Sequence, residues 1–116
     1  MGATLPVWEI SEKFGDTNLL VTCVDHGDDL ARRLGDNTVV LMRGHGFAAV
    51  APNLYEVVSI SVYLPKNARI LTSAKLLGGS VRTITQGEID AVGPADPEAP
   101  AFARGWEYWC KRAGVA

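Results

Sequence analysis

Metal-binding and thiol side chains are scarce in this sequence. It has two cysteines, Cys23 and Cys110, and two histidines, His26 and His45. The cysteines stand far apart, in no C-x-x-C or Cys/His spacing, which excludes a zinc-finger type or dithiol redox motif. They read as buried free thiols of a reducing cytosol. No segment approaches the roughly 20 consecutive apolar residues of a membrane-spanning helix, so no membrane partner is expected. The opening Met1-Gly2-Ala3-Thr4-Leu5-Pro6 lacks the charged and apolar regions of a signal peptide. It also lacks the Ser or Thr at position 6 that N-myristoylation favours. A cytoplasmic protein is the resulting expectation. The net charge of −2 comes with no cluster of Lys and Arg interleaved with aromatics, which argues against nucleic acid as a partner. There is no internal repeat and no low-complexity tract.

What remains is an ordinary globular composition, 47% apolar and 21% charged over 116 residues, enough for one domain with a real core. Leu5–Ile10 reads as a short extended segment, with Pro6 suited to an edge or strand start because it has no N–H to donate. Gly15–Asn18 is a turn, and Leu19–Val24 reads as a short strand or extended segment. A helix is expected from Asp25 to Leu34, with acids in its first turn, Arg32 and Arg33 in its last, and Gly35 as the stop. Val39–Met42 and Phe47–Ala51 are apolar at nearly every position, as strands covered on both faces are.

Asn53 caps the longest helix, with Glu56 placed to bond back to the cap. Apolar residues recur at helical steps from Leu54 to Ala74, and the pattern ends at Gly78-Gly79. Pro65 inside this span should kink the helix or split it. Val81–Ile84 reads as a short strand. Thr85-Gln86-Gly87-Glu88 is a capping-box sequence for a small helix ending at Gly93. Residues 94–100 form a stiff connector, and the last helix carries Phe102, Trp106, Trp109 and Ala113 on one stripe. These helices outnumber the strands available to cover them. The pattern therefore suggests part of a larger α/β domain, or a subunit that finishes its core in an oligomer.

The chemistry-bearing element is the turn Arg43-Gly44-His45-Gly46, which joins the two apolar strands. A glycine-flanked imidazole at the end of a sheet can be held rigidly as a metal ligand; the alternative is a turn histidine bonded to backbone. Arg43 can hold a substrate carboxylate by a bidentate pair, or serve a salt bridge at the strand end. Tyr63 can face a substrate site or an interface, or simply sit on a half-buried helix. His26 lies beside Asp25, Asp28 and Asp29 at a helix start. It reads as a solvated terminus, with a weak cation site as the other possibility. No nucleophile–His–acid triad is suggested.

Taken in order, Leu5–Ile10, Leu30–Gly35, Val40–Gly46 and Val62–Arg69 resemble the C-terminal half of the class II aldolase/adducin family. The closing Arg104-Gly105-Trp106-Glu107-Tyr108-Trp109 is similar to the subgroup containing hydroxy-methyl-pyridine-dicarboxylate decarboxylase. The resemblance implies an α/β fold, part of a three-layer α/β/α sandwich on a mainly antiparallel sheet, with 1–116 as a single truncated domain. It implies a divalent metal, Zn²⁺ or Mn²⁺, held by three histidines, of which the turn supplies His45 and an upstream His-x-His supplies two. A catalytic Glu also lies upstream, and members are tetramers with active sites at subunit interfaces.

The metal would act as a Lewis acid on a carbonyl or enolate oxygen as a C–C bond breaks, by retro-aldol cleavage or loss of CO₂. This sequence departs from the pattern in having no His-x-His, and in carrying Pro65 where many relatives have a helix former. The expectation is a truncated lyase, inactive alone, that works as a homo-oligomer or with a separate N-terminal half on a small carboxylate or carbonyl substrate. The alternative is a non-catalytic, adducin-like binding or assembly module.

Overall fold

The computed structural model describes residues 4–93, 96 and 99–115. These form three strands and five helices: β1 (Val7–Trp8), α1 (Ser11–Phe14), α2 (Val24–Leu34), β2 (Val39–Met42), β3 (Gly46–Ala49), α3 (Leu54–Leu76), α4 (Gln86–Val92) and α5 (Pro100–Ala113). They divide into two compact units, Met1–Val50 and Ala51–Ala116.

The first unit holds the sheet, in the order β1-β2-β3. β2 and β3 pair antiparallel, Val40 opposite Ala48, while β1 runs parallel to β2, Val7 opposite Leu41. The sheet is therefore mixed, not mainly antiparallel. The cause is the connection: α1 and α2 lie between β1 and β2 and carry the chain back to start a second strand in the same direction. Pro6 behaves as its missing donor requires. It precedes the edge strand and contributes only its carbonyl, to Leu41 N–H at 2.9 Å.

Val39 and Val40 are both fully buried. Successive strand residues face opposite sides, so both faces of β2 are covered, as its uninterrupted apolar run implies. On one face Val40 packs with Trp8 and Ile10, and Phe14, Leu30 and Leu34 of the two helices close over them. Each such buried aliphatic side chain contributes on the order of 1.5–3 kcal/mol.

Leu19–Val24 forms no strand. Leu19 adopts φ +65°, the sole non-glycine residue with positive φ among those described, and α2 begins at Val24. Cys23 occupies the cap position and is exposed rather than buried, whereas Cys110 is half-buried. Gly35 ends α2 with φ +53° and donates to Ala31 O at 3.0 Å.

The second unit is helical. Asn53 Oδ1 accepts from Glu56 N at 2.9 Å, and the Asn53 amide donates to the Glu56 carboxylate at 2.9 Å. α3 then runs unsplit through Pro65 to Leu76. Proline leaves one carbonyl, that of Ser61, without its helical donor. Neighbouring bonds hold the helix across the gap. Val81–Ile84 forms no strand. Thr85 and Glu88 make the full capping box that starts α4. Of the connector expected over 94–100, residues 94, 95, 97 and 98 fall outside the described ones. α5 starts with Pro100 in its first turn and stops at Gly114, φ +72°.

Within this unit α3 and α5 meet through aromatic rings. Tyr55 lies 5.5 Å from Phe102 and 5.4 Å from Trp106, and Tyr63 lies 6.1 Å from Trp109, ring centre to ring centre. The aromatic stripe of α5 is thus a helix-packing surface. No helix among the described residues is long and apolar enough to cross a membrane.

Candidate functional site

Arg43, Gly44 and His45 connect β2 to β3. His45 N–H donates to Met42 O at 3.1 Å, closing a four-residue turn. Gly44 holds φ +69° at its third position, a conformation that costs glycine nothing and other residues about 1–2 kcal/mol. Space is also restricted there, since a Cβ on Gly44 would stand 3.1 Å from Leu19 Cδ1. The strained Leu19 therefore lays its side chain against this turn. The turn is fixed by the strand pairing on both sides and by Leu19 beneath, and it presents the His45 side chain at an exposed position.

Glu9 anchors the neighbouring residue. One carboxylate oxygen pairs with Arg43 Nε. The other accepts from Ser11 N–H at 3.1 Å and Ser11 Oγ–H at 2.7 Å, at the start of α1. The Glu9 side chain is 18% exposed and that of Arg43 56%. Arg43 is thus engaged on its Nε edge by a carboxylate of its own chain.

Arg43 and His45 share one turn, whereas Tyr63 belongs to α3 in the second unit, exposed, with Lys66 Nζ 5.5 Å over its ring. Among the described residues, no group of three or more His, Cys, Asp or Glu side chains is placed to hold a metal. His45 offers one imidazole, short of the three protein ligands that catalytic zinc sites use. With Glu9 committed to Arg43 and Ser11, the donor set of the described residues does not fit a divalent metal by itself.

Sequence reasoning missed two polar features of the first unit. Asp29 accepts from the indole N–H of buried Trp8 at 2.9 Å, and from Lys13 and Arg32 at 3.2 and 3.3 Å. The Trp8 bond, with help from the two cations, holds its carboxyl below the usual 3.8, against the opposing pull of burial. His26 is half-buried rather than solvated, because its ring packs on Phe14 at 4.5 Å. Its Nδ1 lies 3.3 Å from Leu20 O and 3.4 Å from Thr22 N, and so pins the loop before α2 in either tautomer. The acid-rich helix start hid both, since the Trp8–Asp29 and Phe14–His26 contacts join segments distant in sequence.

In the second unit the Tyr55 hydroxyl is buried with no hydrogen-bond partner among the described residues. Burial raises its pKa above the usual 10.0, with the charges of Asp96 and Glu56 adding to the effect.

No family model matches the chain. Over part of its length it is similar to a decarboxylase, the decarboxylase tropJ of Talaromyces stipitatus. The two are 31% identical over 91 residues, covering 69% of this chain and 34% of the relative. The chain thus spans about a third of the length of the curated relative it matches.

Proposed function

We propose that this chain is the His45-bearing part of a class II aldolase/adducin-like lyase of decarboxylase type, working in the cytoplasm. Its two units form part of one larger three-layer α/β/α domain. The observation that carries the reading is the turn itself: an imidazole on a rigid hairpin, in the order of elements the resemblance requires. The likeness to a decarboxylase supports it. Zn²⁺ or Mn²⁺ in the completed site would polarise a carbonyl oxygen while a C–C bond breaks. His45 would supply one of its ligands, and a second copy or a separate polypeptide the others.

In this reading Arg43 reaches a substrate carboxylate with the guanidinium nitrogens that Glu9 leaves free, and Glu9 fixes the direction of that reach. The substrate is a small carboxylate or carbonyl compound.

Two histidines make the test direct. Mn²⁺ is titrated into the full chain, and paramagnetic broadening of the imidazole signals is followed by NMR. His45 is expected to broaden well before His26, with weak affinity, and His45→Ala should remove that response. Preferential broadening around His26 and the acids of α2, or ion uptake unchanged by His45→Ala, would overturn the metal reading. It would favour the adducin-like assembly module.

A further inference from the structure

We propose that the groove between α3 and α5 binds a small organic acid with a flat apolar body. Beside the Tyr63–Trp109 pair, residues of both helices line an open groove of about 650 Å³. Val58, Val62 and Trp109 form its floor, and Lys66 and Arg112 stand on its rim. A smaller cavity of about 170 Å³, bordered by Ser59, Ala101 and Phe102, lies against the same ring pair. The groove alone has the volume of an ordinary small-molecule site.

The charge on the rim is uncompensated. Lys66 Nζ rests over the Tyr63 ring, and Arg112 bonds to the Tyr108 hydroxyl at 3.3 Å with its guanidinium 5.8 Å from that ring's centre. Neither cation forms an ion pair among the described residues. The sequence between Glu56 and Glu88 contains no acid at all, yet it holds Lys66, Arg69, Lys75 and Arg82. Aromatic rings hold both side chains in place by cation–π attraction, which leaves the Lys66 ammonium and the guanidinium N–H groups that Tyr108 does not engage available to donate.

A ligand that satisfies such a place needs two parts. A carboxylate would accept from Lys66 and Arg112, and a planar hydrocarbon body would cover Trp109 and the two valines. An inorganic anion meets only the rim, and a neutral hydrocarbon only the floor. The inference uses no residue of the hairpin, so it stands or falls separately from the metal reading.

The test uses the full chain and 1-naphthoate, with the neutral 1-naphthalenemethanol and inorganic phosphate as comparisons. Binding is followed by calorimetry and by amide shifts. Naphthoate should bind saturably, with shifts centred on Val62, Lys66 and Trp109, and more tightly than the alcohol or phosphate. Lys66→Gln and Arg112→Gln should each weaken it about threefold, as exposed charge pairs do. High salt should weaken it too. Val62→Trp, which fills the groove, should abolish it. Equal binding of acid and alcohol by the unaltered protein would overturn the proposal. So would phosphate binding as tightly as naphthoate, shifts confined to the first unit, or no saturable binding.

Discussion

Substituting Gly44 by alanine tests whether the hairpin holds His45 in the way described. In a strain-free position, Gly→Ala stabilises a protein by about 0.4–1 kcal/mol, because the unfolded chain has fewer states to lose. Gly44 is not such a position. Its φ of +69° would cost an alanine about 1–2 kcal/mol. The new Cβ would also stand 3.1 Å from Leu19 Cδ1, a smaller cost because it falls on the end of a flexible side chain. The balance is a net loss of about 1 kcal/mol, or about 4 °C in Tm for a domain of this size.

Gly27 is the control. It lies inside α2 with open space where a Cβ would go. Gly27→Ala should stabilise by about 0.5–1 kcal/mol, since glycine is a poor helix former. Urea unfolding of both variants gives the two signs. Amide exchange adds a local measure: in Gly44→Ala the His45 N–H, bonded to Met42 O at 3.1 Å, should exchange faster. A Gly44→Ala protein as stable as the parent or more so would refute the turn geometry, and with it the fixed presentation of the imidazole.

Two further expectations concern stability. Because the native Asp29 carboxyl titrates below its ordinary 3.8, its contribution is complete above that value and is lost as pH falls through the lower native one. The urea midpoint should therefore drop below about pH 3.8 and do so less steeply in Asp29→Asn; an unchanged acid limb would contradict the Trp8–Asp29 bond. Pro65→Ala should restore a donor to the Ser61 carbonyl and stabilise α3. The helix-interior penalty of proline is about 3 kcal/mol, and the stiffness it gives the unfolded chain offsets part of this, so a gain of about 1–2 kcal/mol is expected. A loss would mean that the proline ring shapes the helix in a way the sequence needs.

Local signals were legible in the sequence wherever a short-range bond decides the structure. Asn53 and Thr85 cap helices across three residues as expected, although Glu56 returns to the Asn53 side-chain amide and not to the cap backbone N–H, as Glu88 does. The β2–β3 hairpin was equally plain, because two apolar runs flank glycines. Long-range pairing was not. Nothing in Val7-Trp8 states that it joins β2 in parallel, since that register depends on how α1 and α2 return the chain. Leu19–Val24 has the composition of a strand, but the positive φ at Leu19 and the loop contacts of His26 override it. For the site, the position of His45 in a tight turn could be read directly. The tie between Glu9 and Arg43 could not, because oppositely charged residues in distant segments carry no mark of which will meet.

The double duty of Glu9 makes the hairpin tip a poor candidate for transplantation. A loop carrying Arg43 through Gly46, grafted onto another scaffold, would arrive without the carboxylate that orients its guanidinium and without the helix start that steadies that carboxylate. Over evolutionary time the same linkage predicts paired inheritance. A lineage that loses the acid at position 9 should soon abandon the cation at position 43, whatever becomes of the imidazole two residues on.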